Sequence, residues 1–276
     1  MHRLFTGKLR VEHLTIPIAN LPANLSGTKL VQLTDFHYDG MRLSEWLLEE
    51  AIAAANEAEA DLILLTGDFI TWETAPIYGL VKRLKNLQSR VGIYAVLGNH
   101  DHYWPGAKRE VANALNSVGI RVLHNEAIYP LGSELALVGF ADFWSGDFKP
   151  EAVMASVDLE IPRIVLSHNP DTAENLQKYR IDLQFSGHTH GGQIVIPGIG
   201  PLYAWVRQIG DYIPPPVRKW IPYMSIFNRV VIHWEWASGL HQVGSNLLYV
   251  NRGLGTYPPG RLFCPPEVTV ITLICP

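Results

Sequence analysis

Five short apolar runs in this chain each end in residues able to hold a metal ion, and few folds accommodate that pattern. Leu30–Thr34 runs into Asp35-Phe36-His37, and Leu62–Leu65 runs into Gly67-Asp68. Ile93–Leu97 runs into Gly98-Asn99-His100-Asp101, and Arg163–Leu166 into Ser167-His168. Leu183–Phe185 runs into Gly187-His188-Thr189-His190-Gly191-Gly192. Such runs, bounded by glycine and polar residues, read as buried strands. Helical patterns lie between the early ones. Leu43, Leu47, Ala51 and Ala55 share one face; Ile77, Leu80, Val81, Leu84 and Leu87 share another; Val111, Leu115 and Val118 share a third. Strand–helix–strand alternation predicts parallel strands covered by helices. Ligands of open α/β sheets collect beyond the carboxyl ends of the strands. One sheet edge is therefore expected to carry Asp, His, Asp, Asn, His, His and His.

Further along, Leu135–Phe140, Gln193–Ile196, Leu247–Val250 and Val268–Ile274 are strand-like with few helices between them. They suggest a second sheet packed on the first. Residues 203–229 break the pattern with Tyr203, Trp205, Tyr212, Trp220, Tyr223, Phe227 and the triplet Pro214–Pro216. The prolines exclude a long helix. The segment reads as an irregular insertion with two competing roles: a lid or interfacial patch suited to a membrane or acyl chains, or a loop whose aromatics pack on their own domain. No Ser/Gly-rich linker or charge run divides the chain, so residues 1–276 read as one domain.

Charge and composition narrow the function. A formal charge of −4 with no basic stripe argues against nucleic acid as a partner. It leaves open a small anionic substrate, which senses only the local field of its site. Cys264 and Cys275 read as small buried hydrophobes rather than a disulfide framework. No apolar run reaches the roughly 18 residues of a membrane span, and Met1–Ile18 lacks the continuous apolar core of a secretory signal. The expected location is cytoplasmic, with peripheral contact to the membrane, and the expected state is a monomer.

The donor types point to transition metals. Imidazole suits zinc, iron and manganese, whereas magnesium and calcium prefer all-oxygen shells. Seven donors are too many for one tetrahedral ion. Shared between two ions with a bridging carboxylate, they leave room for water and substrate. Such a pair, about 3.5–4 Å apart, clamps the attacking and leaving oxygens of a displacement and acidifies bound water. Asp35 and His37 are two apart, as are His188 and His190, which places each pair on one side of an extended chain. Glycines beside Asp68, Asn99 and His188 permit sharp turns there. Taken singly the motifs are weak, since Gly-Asp is commonly a plain turn. Their joint occurrence after five strands is not. His102 either lines the cleft or simply packs. Arg252 either grips a substrate phosphate or makes a structural salt bridge. Tyr103 and His241 stand with the same two alternatives as His102, whereas His2, His13, His124 and His233 carry no signal.

In order and spacing, Asp35-x-His37, Gly67-Asp68, Gly98-Asn99-His100-Asp101, His168 and Gly187-His188-x-His190 resemble the calcineurin-like metallophosphoesterases over most of the chain. Ser167-His168-Asn169-Pro170-Asp171 and Asn251-Arg252-Gly253-Leu254-Gly255 resemble a bacterial branch containing membrane-associated phosphoesterases and a pyrophosphatase of lipid A synthesis. The resemblance implies an α/β fold of two mixed sheets packed as a sandwich, with helices on the outer faces. It implies two divalent transition metal ions (manganese, zinc or iron). Asp35, His37 and His190 would hold one ion, Asn99, His168 and His188 the other, and Asp68 would bridge. His100 would contact the phosphoryl oxygen or protonate the leaving group, oriented by Asp101. Purple acid phosphatases carry a tyrosine three residues after the bridging aspartate; Thr71 stands there, which argues against that branch. The expected activity is hydrolysis of a phosphodiester or pyrophosphate, on a phosphorylated small molecule or a lipid-linked substrate such as a UDP-diacylglucosamine-type precursor. The rival expectations are a soluble phosphomonoesterase or cyclic-nucleotide phosphodiesterase, and a non-catalytic metal-binding module.

Overall fold

Strand β2 (Lys29–Leu33) shows how the layers arise. Its side chains alternate between two faces, as the pleat requires. Leu30 joins an apolar cluster with residues of a second sheet, while Val31 and Leu33 join one built with helices. Strand β3 (Leu62–Leu65) repeats the division, with Leu62 and Leu64 on one face and Ile63 and Leu65 on the other. A strand apolar on both faces has to be covered on both. Each fully buried leucine contributes about 1.5–3 kcal/mol relative to exposure.

The structure is a computed structural model and describes residues 6–205, Ile213 and 231–276. The first sheet has the order β1-β14-β2-β3-β4-β5, with β1 at Arg10–Pro17, β4 at Gly92–Ala95, β5 at Ile120–Val122 and β14 at Glu267–Ile274. Strands β2 to β5 are mutually parallel, and β14 runs antiparallel to β2. Helices α1 (Glu45–Glu57), α2 (Ile77–Leu84) and α3 (Ala107–Asn116) pack Leu47, Leu80 and Val111 onto its outer face. Ser44 starts α1 by accepting the Leu47 N–H through its hydroxyl.

The second sheet has the order β12-β13-β9-β8-β7-β6. Its strands are β6 (Glu126–Ile128), β7 (Ala136–Gly139), β8 (Arg163–Leu166), β9 (Leu183–Ser186), β12 (Gly239–Val243) and β13 (Asn246–Val250). The four inner strands are parallel, and the two edge strands are antiparallel to their neighbours. Between the sheets Leu30, Leu64, Val96 and Ile271 meet Leu137, Ile164, Leu166 and Phe185. Polar side chains also cross this core: Gln32 donates to the Ser186 carbonyl at 2.9 Å and to the Thr66 hydroxyl at 2.8 Å, and the Tyr249 hydroxyl donates to Glu267 at 2.6 Å.

Two expectations need correction. Val268–Ile274 does not join the second sheet: as β14 it lies inside the first, between β1 and β2. It packs Val268 and Val270 under the helices and Ile271 and Leu273 between the sheets, so both its faces are buried. Strand β1 was not foreseen, because its polar and apolar residues alternate along a half-exposed edge. Gln193–Ile196 narrows to the two residues of β10 (Val195–Ile196), paired with β11 (Gly200–Pro201). Of the insertion expected at 203–229, residues 206–212 and 214–229 lie outside the described residues. No helix among the described residues is long and apolar enough to cross a membrane.

Candidate metal centre

The loops after β2, β3, β4, β8 and β9 converge, and their backbones hold one another. Asp35 N–H donates to the Gly67 carbonyl at 2.9 Å, His37 N–H to the Asp68 carbonyl at 3.0 Å, and Gly187 N–H to the His168 carbonyl at 2.9 Å. These segments are not extended. Asp35, His37, Asp68, His188 and His190 all have positive φ, between 43° and 71°. Side chains two apart therefore converge through left-handed turns, not through strand alternation. Left-handed backbone is costly for residues other than glycine and concentrates at functional sites. The glycines are required by close approach. A Cβ on Gly98 would sit 2.2 Å from Asp68 Oδ1, and one on Gly187 would sit 2.3 Å from Asp35 Oδ2.

The donor atoms form two main clusters, Asp35–His37–His190 and Asp68–His168–His188, joined at Asp68, and a third group brings His100 to His37 and Asp68. In the first, His190 Nε2 lies 3.4 Å from Asp35 Oδ1 and 3.1 Å from His37 Nε2. In the second, His188 Nδ1 lies 3.2 Å from His168 Nε2. Asp68 Oδ2 is common to both, 3.5 Å from His37 Nε2 and 3.2 Å from His168 Nε2. Asn99 Oδ1 is buried and accepts no hydrogen bond among the described residues.

The outer nitrogens explain why the inner ones converge. His168 Nδ1 faces the Thr66 carbonyl at 2.6 Å, and His190 Nδ1 faces the Gly255 carbonyl at 3.1 Å. A carbonyl only accepts, so each Nδ1 carries a proton, and Nε2 is the nitrogen left to ligate, at His168 once the proton it shares with Asp68 is displaced. His37 Nε2 and His190 Nε2 lie 3.1 Å apart, close enough to share one cation. Together with the buried Asn99 oxygen, this donor set fits two divalent metal ions. Burial holds His37 and His190 well below the usual imidazole range, in the neutral form that ligates metals. Burial also pushes Asp35 up to about 6. Burial opposes charge on Asp68 too, but His168 and His100 outweigh it and hold that carboxyl well below its usual range. Asp68 in turn overrides burial at His168 and raises it to about 10, so a metal taken up there displaces a proton.

A cavity of about 440 Å³ opens on this edge. Asp68, Asn99, His100, His188 and His190 line its floor, and Trp72, Tyr203, Val231, Trp234, Tyr257 and Pro258 form much of its wall. Apart from Tyr203, named within the aromatic 203–229 segment, the sequence reading missed this wall. Trp72 was accessible to it, lying four residues past Asp68 at the end of a strand, whereas Tyr257 and Trp234 carried no local signal. Arg261 was missed as well. Its buried guanidinium donates to the carbonyls of Arg252, Gly253 and Gly255, at 2.8, 3.1 and 2.7 Å, and so holds the loop that carries the Gly255 carbonyl.

One expected role changes, and two open alternatives resolve toward structural roles. His100 is oriented by the Thr71 carbonyl, 2.7 Å from its Nδ1, rather than by Asp101. The Asp101 carboxylate instead accepts the backbone N–H groups of Gly98, Asp68, Phe69 and Ile70, at 2.9–3.3 Å, and ties the two loops together. Arg252 faces away from phosphate chemistry. It pairs with Glu12 at 2.6 Å and with buried Glu267 at 2.7 Å, because the strands on both sides place carboxylates there. His102 is absent from the cavity lining. Burial, then Lys108, lowers it to about 4.

Fold and donor set together define a metal-dependent hydrolase of phosphate esters. The model of the calcineurin-like phosphoesterases matches residues 28–192, and the chain belongs to that family. It is 32% identical to the uncharacterized metallophosphoesterase YkuE of Bacillus subtilis, over 95% of this chain and 84% of that protein. It is 32% identical to the phosphodiesterase YaeI of Escherichia coli, over 91% of this chain and 84% of that one. It is 27% identical to the UDP-2,3-diacylglucosamine pyrophosphatase LpxG of Chlamydia trachomatis, over 95% and 88% respectively.

Proposed function

We propose that the chain cleaves a phosphodiester or diphosphate bond in an amphipathic, lipid-linked substrate, with two manganese, zinc or iron ions. The observation carrying this reading is Asp68, whose Oδ2 lies within 3.5 Å of one histidine from each donor cluster. Asp35, His37 and His190 would hold one ion, Asn99, His168 and His188 the other, with Asp68 between. The ions, when bound, supply Lewis acidity and a water acidified toward a pKa of about 7.

The chain's own residues do the rest. The Thr71 carbonyl accepts a hydrogen bond from His100 Nδ1–H, so Nε2 faces the cleft to hydrogen-bond the phosphoryl oxygen or to give a proton to the leaving oxygen. Asp68 Oδ1 accepts the His100 N–H at 2.9 Å and so couples His100's position to the donor clusters. The aromatic wall excludes water and receives the apolar part of a substrate. The loops after β2, β4, β7 and β13, on the strand ends that carry the site, expose Met41 (76%), Trp104 (57%), Trp144 (48%) and Phe263 (68%). Exposed aromatic and aliphatic rims suit a membrane interface, and peripheral contact would deliver a lipid-linked substrate. The names of YaeI and LpxG support a diester or a diphosphate as the scissile bond.

The test is hydrolysis of bis-p-nitrophenyl phosphate beside p-nitrophenyl phosphate with manganese, zinc or iron, repeated on Asp68→Asn. Metal-dependent turnover, lost in the variant and faster on the diester, is expected. Two bound equivalents without turnover would favour a binding module. Activity on UDP-2,3-diacylglucosamine, raised by vesicles, tests the lipid-linked part, and indifference to vesicles would remove the membrane contact.

A further inference from the structure

Tyr257 belongs to none of the metal-ligand motifs, yet it touches the centre of the site. Its hydroxyl lies 3.1 Å from His37 Nδ1. Its ring stands edge-on to His37 and to His190, with centroids 5.0 and 5.3 Å apart. The Arg42 guanidinium lies 4.5 Å from the ring centroid. Arg42 is paired with Asp39, and Asp39 accepts the Thr71 hydroxyl at 3.0 Å. The Tyr257 backbone N–H donates to Gln193 Oε1 at 2.7 Å. The phenol is thus held from several sides against one imidazole.

His37 needs such a partner. His168 and His190 place Nδ1 against the Thr66 and Gly255 carbonyls, which fixes their tautomer. His37 has no carbonyl in that position among its described partners; it has a hydroxyl, which both donates and accepts. The opposite nitrogen settles the direction. His37 Nε2 faces His190 Nε2 at 3.1 Å, Asp68 Oδ2 at 3.5 Å and Asp35 Oδ1 at 4.0 Å. In a metal site that nitrogen presents its lone pair, so the ring proton sits on Nδ1.

We infer that Tyr257 is the positioning residue of His37: its hydroxyl oxygen accepts the Nδ1 proton, holds Nε2 as the ligating atom, and leaves the phenolic proton for an oxygen in the cleft. The inference rests on the metal-centre reading above. Partners of this kind orient the ligand and raise its basicity, and their loss costs about 10–100-fold in metal affinity. Neither Asp-x-His nor any other motif in the chain contains this residue. The loop after β13 brings it in.

The experiment is zinc competition against a chelator, together with nitrogen-edited proton NMR of 15N-histidine-labelled protein, on wild type, Tyr257→Phe and Arg42→Met. Tyr257→Phe keeps the ring and removes only the oxygen. The expected result is a 10–100-fold weaker affinity for one of two zinc equivalents in Tyr257→Phe, with loss of one downfield imidazole N–H resonance. Arg42→Met keeps the hydroxyl and is expected to change affinity less than about 3-fold, within the range of a lost cation–π contact. Unchanged zinc affinity in Tyr257→Phe overturns the assignment. So does an equal loss in Arg42→Met, which would credit ring packing instead of the oxygen. A wild type that binds no divalent ion overturns the metal centre itself and is recognised separately.

Discussion

His100 Nδ1 sits 2.7 Å from the backbone carbonyl of Thr71. The ring is therefore aimed by the main chain of the β3 loop, and its free nitrogen faces the cavity it lines. His100 also lies beside His37, with ring centroids 4.8 Å apart, and its ring nitrogen approaches donor atoms of His37 and Asp68. His100→Ala is expected to lower turnover by about 10²–10³-fold, the scale for losing one preorganised donor. Both metal equivalents should remain. Metal analysis beside steady-state kinetics checks this, and loss of an ion would make His100 a ligand instead.

Asp101 predicts a different phenotype. Its carboxylate accepts four backbone N–H groups from two loops and is fully buried. Asp101→Asn turns one acceptor into a donor facing those groups, and the unmet bonds should cost about 2–4 kcal/mol. A 276-residue chain would then melt several degrees lower. Were Asp101 the orienter of His100, the variant would keep its melting temperature and lose turnover alone.

Gly187 gives a purely steric test, because its φ is not in the left-handed region. A Cβ there would meet Asp35 Oδ2 and Thr34 Oγ1, each at 2.3 Å. Asp35 also accepts the His188 N–H, at 3.0–3.1 Å to its two oxygens, so the carboxylate cannot retreat without breaking that contact. Gly187→Ala is expected to displace Asp35 and weaken binding of one metal more than the other. Stepwise metal titration distinguishes this from uniform loss. Equal weakening of both would point to general loosening of the loops.

The metal donors were legible because each follows a strand within a few residues, and short apolar runs are local signals. The five left-handed φ values that aim them were not legible, because Asp and His adopt such backbone more often than most residues yet only in a small minority of cases. The carbonyls of Thr66, Thr71 and Gly255 were hidden for a simpler reason: every residue has one. Tyr257 meets His37 across 220 positions of sequence, a contact set by the return of β13 beside β9. Arg252 looked like a phosphate ligand from its place after a strand. Only the pairing of β1 with β14 brings Glu12 and Glu267 to it.

That pairing makes Arg252 a stability residue. Glu267 is 1% exposed and also accepts the Tyr249 hydroxyl at 2.6 Å. Arg252→Ala would leave a buried carboxylate without its cation, which typically costs about 3–5 kcal/mol. Denaturant melts should show the loss, while kcat/KM per folded molecule stays near wild type. A raised KM at unchanged stability would restore the substrate role.

His233 supplies the pH dependence. Burial alone would lower its pKa, but Glu235 at 2.7 Å and Glu174 at 3.3 Å raise it above the ordinary 6.5. Its backbone N–H is held by Asp171 at 2.9 Å, next to Val231 and Trp234 of the cavity wall. Because the folded state holds the proton more tightly, the ion pairs stabilise fully below pH 6.5. That contribution fades as pH rises through the raised folded value. The pairs are partly exposed, so the effect stays under about 1 kcal/mol. His233→Gln should therefore melt up to about 2–4 °C lower than wild type at pH 5.5 and close to it at pH 8.5. A difference that grows with pH would mean that the neutral ring, rather than its charge, stabilises this wall.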